Sequence, residues 1–158
     1  MMEDPAFFES WMREALKEAR AAAEDEEVPV GAVVILNNRV IGRGHNQVEG
    51  LRDATAHAEM IALTAASEAA KDWRLEDATL VVTLEPCVMC YGAALQTRVG
   101  RIIYGAPEPK FGACGSRVAL HEEKKLIRRP VIVPGVMAEE AAALIVGFFG
   151  KIRMKDKA

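Results

Sequence analysis

Apolar side chains recur at helical spacing near both ends of the chain. The first such segment begins at Asp4-Pro5 and stops in the acidic run at residues 24–27, and a Pro in the first turn is typical of a helix start. The second segment covers residues 138–153. We therefore predict an amphipathic helix at each end, packed on a sheet. The apolar positions are Phe7, Phe8, Trp11, Ala15, Leu16 and Ala19 in the first helix, and Ala141, Leu144, Ile145, Phe148 and Phe149 in the last.

Shorter apolar runs between these helices have the length and composition of strands. A near-continuous apolar run at residues 30–36, the turn pair Asn37-Asn38 and a second run at residues 39–45 together predict a hairpin. The remaining predicted elements are strands at residues 79–84, 101–105 and 131–133 and helices at residues 57–70 and 87–97. Polar or Pro- and Gly-rich segments at residues 46–54 and 106–115 are predicted to be loops.

This order of elements predicts an α/β fold, with a mixed five-stranded sheet that carries helices on both faces. The length suits one domain over residues 1–158, and 51% apolar with 27% charged residues is typical of a globular protein. No segment is long and apolar enough to span a membrane, and the N-terminus lacks the pattern of a secretion signal, so we expect a cytoplasmic protein. Three cysteines offer no disulfide framework, and Cys114 is expected to be a small packed loop residue.

The chemistry of the chain is concentrated in His57 and in the pair Cys87 and Cys90. One imidazole and two thiolates suit zinc, and three protein ligands leave the fourth tetrahedral position for water, as in a catalytic site. Pro86 favours a helix start, so we predict a helix beginning there, with both sulfurs on one face. Glu59 is a spare carboxylate two residues beyond His57, placed to accept and return a proton.

Two simpler interpretations compete with a zinc enzyme. A Cys-x-x-Cys pair in an intracellular protein is often a redox pair, and a lone His before an Ala-rich helix is often a capping or core residue. A zinc-stapled binding module without chemistry is a third possibility. Glu59 argues against that module, because a structural zinc site normally closes its fourth position with another Cys or His.

The motif His57-x-Glu59 followed by Pro86-Cys87-x-x-Cys90 resembles that of the zinc-dependent cytidine and adenosine deaminases. The segments at residues 28–32, 55–60 and 78–87 are similar to those of the bacterial tRNA adenosine deaminases, which convert the wobble adenosine of an anticodon to inosine. The resemblance implies a three-layer α/β/α cytidine-deaminase-like fold, one zinc per chain held by His57, Cys87 and Cys90, and Glu59 as the proton shuttle.

The same resemblance implies a substrate, a partner and an assembly. The substrate would be a tRNA anticodon stem-loop, and members of the family are commonly homodimers. Asn46, at the end of the second strand, would contact the base or its ribose. Ala58, Glu85 and Glu108 are the other residues expected to bind substrate.

The chain departs from the family pattern mainly after residue 105. Glu108 stands where an Asp is usual, bulky Phe111 replaces a small or polar residue, and Ile127-Arg128 replaces an Asn-His pair. Tyr91 likewise occupies a position where a small residue is usual. These departures leave an alternative open, in which the enzyme deaminates a free base, guanine or cytosine.

Charge is distributed unevenly along the chain. Residues 110–158 carry 10 basic and 5 acidic side chains, whereas the whole chain has a net charge of −3. The basic C-terminal helix and tail, at about residues 138–158, could hold the phosphates of an RNA. A solvated helix face would explain the same charges equally well.

Overall fold

A computed structural model describes residues 4–157, so the outermost residues of the predicted domain lie outside the described part of the chain. The first helix, α1, covers Pro5–Glu24. It begins as the sequence predicts, because the side chain of Asp4 accepts a hydrogen bond from the backbone N–H of Ala6 at 2.9 Å and Pro5 occupies the first turn. Its inner face is apolar and includes Trp11 and Leu16.

The sheet contains five strands, as predicted. They are β1 (Gly31–Leu36), β2 (Arg39–His45), β3 (Thr79–Leu84), β4 (Arg101–Ala106) and β5 (Val131–Val133). The spatial order is β2-β1-β3-β4-β5; β1 is antiparallel to β2 and β3, whereas β3, β4 and β5 are parallel. The sheet is therefore mixed. The hairpin between β1 and β2 turns at Asn37 and Asn38, both with positive φ, a conformation that Asn tolerates better than most residues.

Helices cover both faces of this sheet, which confirms the three-layer prediction. The other helices are α2 (Val48–Leu51), α3 (Ala58–Ala70), α4 (Val88–Thr97) and α5 (Ala138–Asp156), with a short 3₁₀ helix at Leu120–Glu122. One apolar cluster joins α3 and α4 to the sheet through residues such as Val34 and Leu80; the other joins α1 and α5 to it through Val33 and Val81. Alternate residues of each strand thus enter opposite layers. Within residues 4–157 no helix has the length and apolarity that crossing a membrane requires.

The boundaries of several elements differ from the prediction. The helix expected to begin at Pro86 begins at Val88, and Cys87 is its N-cap residue with extended backbone. His57 similarly caps α3 instead of forming its first residue. The short helix α2 and the 3₁₀ helix lie in segments without a predicted helix, and the last helix continues to Asp156. The local sequence does not predict helix α2, because a distant carboxylate stabilises it. Glu27 accepts hydrogen bonds from the backbone N–H groups of Glu49 and Gly50.

Candidate functional site

Two helix starts bring the three predicted metal ligands together. Nδ1 of His57 lies 3.4 Å from Sγ of Cys90 and 3.7 Å from Sγ of Cys87. All three donor atoms lie within 4.8 Å of one another. Because His57 caps α3 and Cys87 caps α4, the positive ends of both helix dipoles point at this cluster and favour negative charge there.

The spacing of these atoms fits a zinc ion. Tetrahedral bonds of about 2.0–2.1 Å to nitrogen and about 2.3 Å to sulfur require nitrogen and sulfur ligands to lie about 3.5 Å apart. The two His57 distances of 3.4 and 3.7 Å agree with that separation. The donor set, with one imidazole and two thiols, is also one that zinc prefers. The three residues could therefore hold this metal with little rearrangement.

One of the two sulfur atoms, that of Cys87, is shifted toward the charged form that binds metal. A hydrogen bond from the Cys90 thiol, together with one from His57, lowers the pKa of Cys87 to about 4. The pKa of Cys90 is raised, because its thiol is the donor in that pair and because it is buried. The hydrogen bond with Cys87 raises the pKa of His57. One negative charge is thus shared within the cluster.

Glu59 lies beside the cluster in the first turn of α3 and is only 4% exposed. Burial is the main reason that its pKa is raised to about 6, and the negative charge of Cys87 adds to this effect. A carboxyl group with a pKa near neutrality can both accept and release a proton under ordinary conditions. Its environment therefore suits the role of a proton shuttle.

A cavity of about 800 Å³ opens beside the cluster. This volume lies within the range of small-molecule and cofactor sites and can accept a nucleoside. Asn46 follows β2 on the cavity wall, Ala58 and Glu59 line its floor, and Glu108 and Phe111 belong to the loop after β4. The structure thus brings the predicted substrate residues Asn46, Ala58 and Glu108 to one cavity.

Glu85 borders the same cavity, but its carboxylate is directed into the protein. The backbone N–H groups of Glu108, Cys114 and Ser116 donate to it at 3.1, 2.9 and 3.1 Å, and the Ser116 hydroxyl donates a fourth hydrogen bond. Burial alone would raise the pKa of Glu85, but these four hydrogen bonds outweigh burial and lower it. A carboxylate that is 2% exposed and accepts four hydrogen bonds has little capacity left for substrate.

The last helix supplies cavity residues that the sequence pattern assigned only to packing. Phe148, Phe149 and Ile152 of α5 line the cavity. Phe149 is 41% and Ile152 39% exposed, which is unusual for large apolar side chains on a helix expected to pack by its apolar face. Periodicity marks all these positions as apolar but gives no indication that the helix ends beside a site far away in the sequence.

The four departures from the family pattern fall in different environments. Glu108 and Phe111 line the cavity. Tyr91, by contrast, is fully buried in the core between α3, α4 and the sheet, and Ile127 is 98% exposed outside the cavity lining. Tyr91 and Ile127 therefore do not line the cavity, whereas Glu108 and Phe111 do. Cys114 is buried in the loop after β4, as predicted, and burial raises its pKa to about 12.

Comparison with known proteins defines the class to which this fold and site belong. Residues 8–153 match the family model of the MafB19-like deaminases. A solved structure from a study of A-to-I editing by tRNA:A34 deaminases at the wobble position of transfer RNA superposes with a TM-score of 0.82 at 43% identity, covering 85% of this chain and 98% of that one. The protein is a deaminase with the cytidine-deaminase-like fold.

Sequence identity places the chain in a particular family of deaminases. The tRNA-specific adenosine deaminase of Bacillus subtilis is 44% identical over 150 residues, which are 95% of this chain and 93% of the relative. The chain belongs to the tRNA-specific adenosine deaminase family. A guanine deaminase from Nitrosomonas europaea shares the fold at a greater distance, with a TM-score of 0.74 and 27% identity over 89% of this chain and 83% of that one.

Proposed function

We propose that this protein deaminates adenosine at the wobble position of a tRNA anticodon loop to inosine, with zinc as its metal. The observation that carries the proposal is the cluster of His57, Cys87 and Cys90 with Glu59 beside it, of which His57, Cys87 and Glu59 line one cavity. The relationship to tRNA-specific adenosine deaminases over nearly the whole chain selects adenosine in tRNA from among the possible bases.

The reaction replaces the amino group on C6 of adenine by oxygen from water and releases ammonia. His57, Cys87 and Cys90 would hold zinc, which when bound supplies the Lewis acid that activates water. Glu59 takes the proton from the attacking water and delivers protons to the ring and to the departing amine. Its pKa of about 6 suits both transfers, because neither protonation state is strongly disfavoured near neutral pH.

Binding would rely on a cavity that accepts a single unpaired base. Asn46 and Glu108 offer polar groups to the base and its ribose, and the backbone at Ala58 lies on the cavity floor. Phe111, Phe148 and Phe149 give the cavity aromatic walls. Unpaired bases of RNA loops are commonly recognised by stacking on such side chains, so an anticodon loop with its bases turned outward fits this opening.

The proposed RNA substrate also needs a surface outside the cavity that binds its phosphates. Lys151 and Arg153 are exposed on α5 on either side of the cavity residue Ile152, where they could contact RNA phosphates.

We propose a homodimer that uses the broad groove formed by α3, α4 and the segments next to them, whose apolar residues include Met60, Ile61 and Met89. The cytoplasm, where tRNA is modified, is the proposed location.

The proposal is tested by measuring which substrate the protein deaminates. We expect the purified protein to convert adenosine to inosine in an anticodon stem-loop, detected by mass spectrometry, while free guanine and cytosine remain unchanged. Glu59→Gln should retain zinc and lose about 10²–10⁴-fold in turnover, because one carboxylate performs every proton transfer. Efficient deamination of free guanine with no action on the stem-loop would refute the proposal in favour of the small-molecule alternative.

A further inference from the structure

One buried carboxylate outside the proposed chemistry connects the metal cluster with the cavity wall. Glu85 follows β3 and lies two residues before Cys87. Its side chain accepts hydrogen bonds from Glu108, Cys114 and Ser116, which are all in the loop after β4. This loop also carries Phe111, so the segment bound to Glu85 contributes two residues, Glu108 and Phe111, to the cavity lining.

The loop encloses the carboxylate closely. Gly112 lies against it, and a side-chain carbon at that position would overlap the Glu85 carboxyl carbon and the carbonyl oxygen of Glu108. The N–H of Gly112 donates to that same Glu108 carbonyl at 2.9 Å, and the N–H groups of Arg117 and Val118 donate to the carbonyl of Gly112 at 2.9 and 3.1 Å. The loop is therefore folded around a single negative group, with a glycine where the approach is closest.

The backbone attaches the loop to the proposed metal ligands as well. The N–H of Ala113 donates to the carbonyl of Pro86 at 2.8 Å, and Cys87 pairs with Gly112 in an isolated antiparallel bridge. Cys87 and the cavity wall are therefore joined by a segment only a few residues long. A change in how the loop binds Glu85 would move Glu108 and Phe111 relative to the metal cluster.

We propose that Glu85 is a positioning residue for substrate recognition: it holds the loop that contains Glu108 and Phe111 in the conformation that receives the substrate base. It takes no part in proton transfer, since its oxygen atoms are occupied by the loop. The inference rests on the proposed function for the identity of the substrate, but the contacts that support it are independent of that identity.

The informative change is Glu85→Gln, which keeps the size of the side chain. The new amide group places an N–H donor where loop N–H groups now donate, so at least one backbone hydrogen bond is lost: that of Glu108 if the nitrogen replaces Oε1, or those of Cys114 and Ser116 if it replaces Oε2. We expect amide exchange in the loop at residues 108–118 to accelerate about 10- to 100-fold, the factor that corresponds to one hydrogen bond to a charged group. Exchange in α3 and zinc content should remain as in the wild type.

Kinetics then separate a positioning role from a catalytic one. Glu85→Gln should raise KM for the anticodon stem-loop about tenfold or more, with a smaller effect on kcat. Gly112→Ala should produce the same pattern, because its Cβ would overlap the Glu85 carboxyl group and displace the loop while leaving the carboxylate chemically unchanged. Ser116→Ala, which removes only one of the four hydrogen bonds, should have a weaker effect of the same kind.

Each outcome has a separate meaning. A wild-type protein without activity on the stem-loop would refute the proposed function, and the exchange experiment would still test the loop. An active wild type whose Glu85→Gln variant shows unchanged loop exchange and unchanged KM would overturn the positioning role. A large loss of kcat in Glu85→Gln, with KM and loop exchange unchanged, would overturn it too and indicate direct participation in chemistry. If Glu85→Gln fails to fold, Gly112→Ala decides by the same criteria.

Discussion

Gly44→Ala should impair the active site without changing any group that takes part in chemistry. Gly44 lies in β2 directly beneath the first turns of α3, and a Cβ atom there would lie 2.7 Å from the nitrogen of Ala62 and 2.9 Å from Cβ of Ile61. It would also overlap the carbonyl oxygen of Ala58. Ordinary contacts begin near 3.4 Å and the nearest atom, the carbonyl oxygen of Ala58, would lie about 1 Å inside that limit, so α3 must move by about 1 Å to accept one methyl group.

The expected losses of stability and of turnover follow from that displacement. Overpacking of this kind destabilises by about 1–3 kcal/mol, and the loss of glycine's freedom in the unfolded chain returns about 0.4–1 kcal/mol. The net loss is then up to about 2.6 kcal/mol; a chain of this size loses about 2–4 °C in Tm per kcal/mol, so we expect a decrease of up to roughly 10 °C. Because His57 and Glu59 lie at the start of α3 while the two cysteines lie at the start of α4, the same shift separates Glu59 from the other half of the site. A misplacement of about 1 Å costs up to 10²-fold in rate, so turnover should decrease about 10- to 100-fold.

Thermal unfolding, zinc content and deamination of the stem-loop measure these effects on one preparation. Gly42→Ala is the matched control, because its Cβ would meet the nitrogen of Ala66 at 2.6 Å, one turn of α3 farther from Glu59. It should lose similar stability and retain more activity. Gly147 lies in an exposed part of α5, and no atom lies near the position of an added Cβ. Gly147→Ala should therefore raise the free energy of unfolding by about 0.5–1 kcal/mol. A Gly44→Ala variant with wild-type Tm and wild-type turnover would show that the proposed contact between β2 and α3 does not position the site.

Three further substitutions test other parts of the structure. Cys87→Ala should lose both zinc, measured by metal analysis, and activity; full zinc occupancy in this variant would contradict the ligand assignment. Replacement of Lys151 and Arg153 by alanine should weaken binding of the stem-loop and reduce the slope of log affinity against log salt by up to about two units, whereas an unchanged slope would place the RNA phosphates elsewhere. Tyr91→Phe should raise the free energy of unfolding by about 1 kcal/mol, because the buried Tyr91 hydroxyl has no hydrogen-bond partner within residues 4–157; a decrease of similar size would show that the hydroxyl is bound.

The proposed metal site could be predicted from the sequence because its signal is local. The types of three side chains and the interval between Cys87 and Cys90 imply a metal, and their positions at predicted helix starts imply that the ligands converge. The strands and the long helices were also predicted, since each has its own periodic pattern. The prediction based on Pro86 placed the start of α4 two residues too early, because a Pro permits a helix start at more than one neighbouring position.

The walls of the cavity could not be predicted in the same way, because they depend on contacts between distant segments. Helix α2 is bound to Glu27 across more than twenty residues of sequence, and the loop after β4 is bound to Glu85 across a similar interval. Neither contact leaves a periodic pattern. The strand β2 does carry one local signal of such a contact: Gly42 and Gly44 alternate within it, and glycines in a strand often mark a close approach by another backbone.

The separation between the site's floor and its walls explains how one fold can serve different bases. His57, Cys87, Cys90 and Glu59 are fixed by helices that pack into the core, so their geometry depends on the sheet. The walls are α2, the loop after β4 and the last turns of α5, each joined to the core by a few polar or apolar contacts. A wall can therefore change its residues or its conformation while the floor keeps its chemistry. The guanine deaminase from Nitrosomonas europaea, which has the same fold at 27% identity, is consistent with this division. Substrate choice in this chain should accordingly respond to changes at Glu108 and Phe111, whereas the deamination step should depend on Glu59 for any base that reaches the floor.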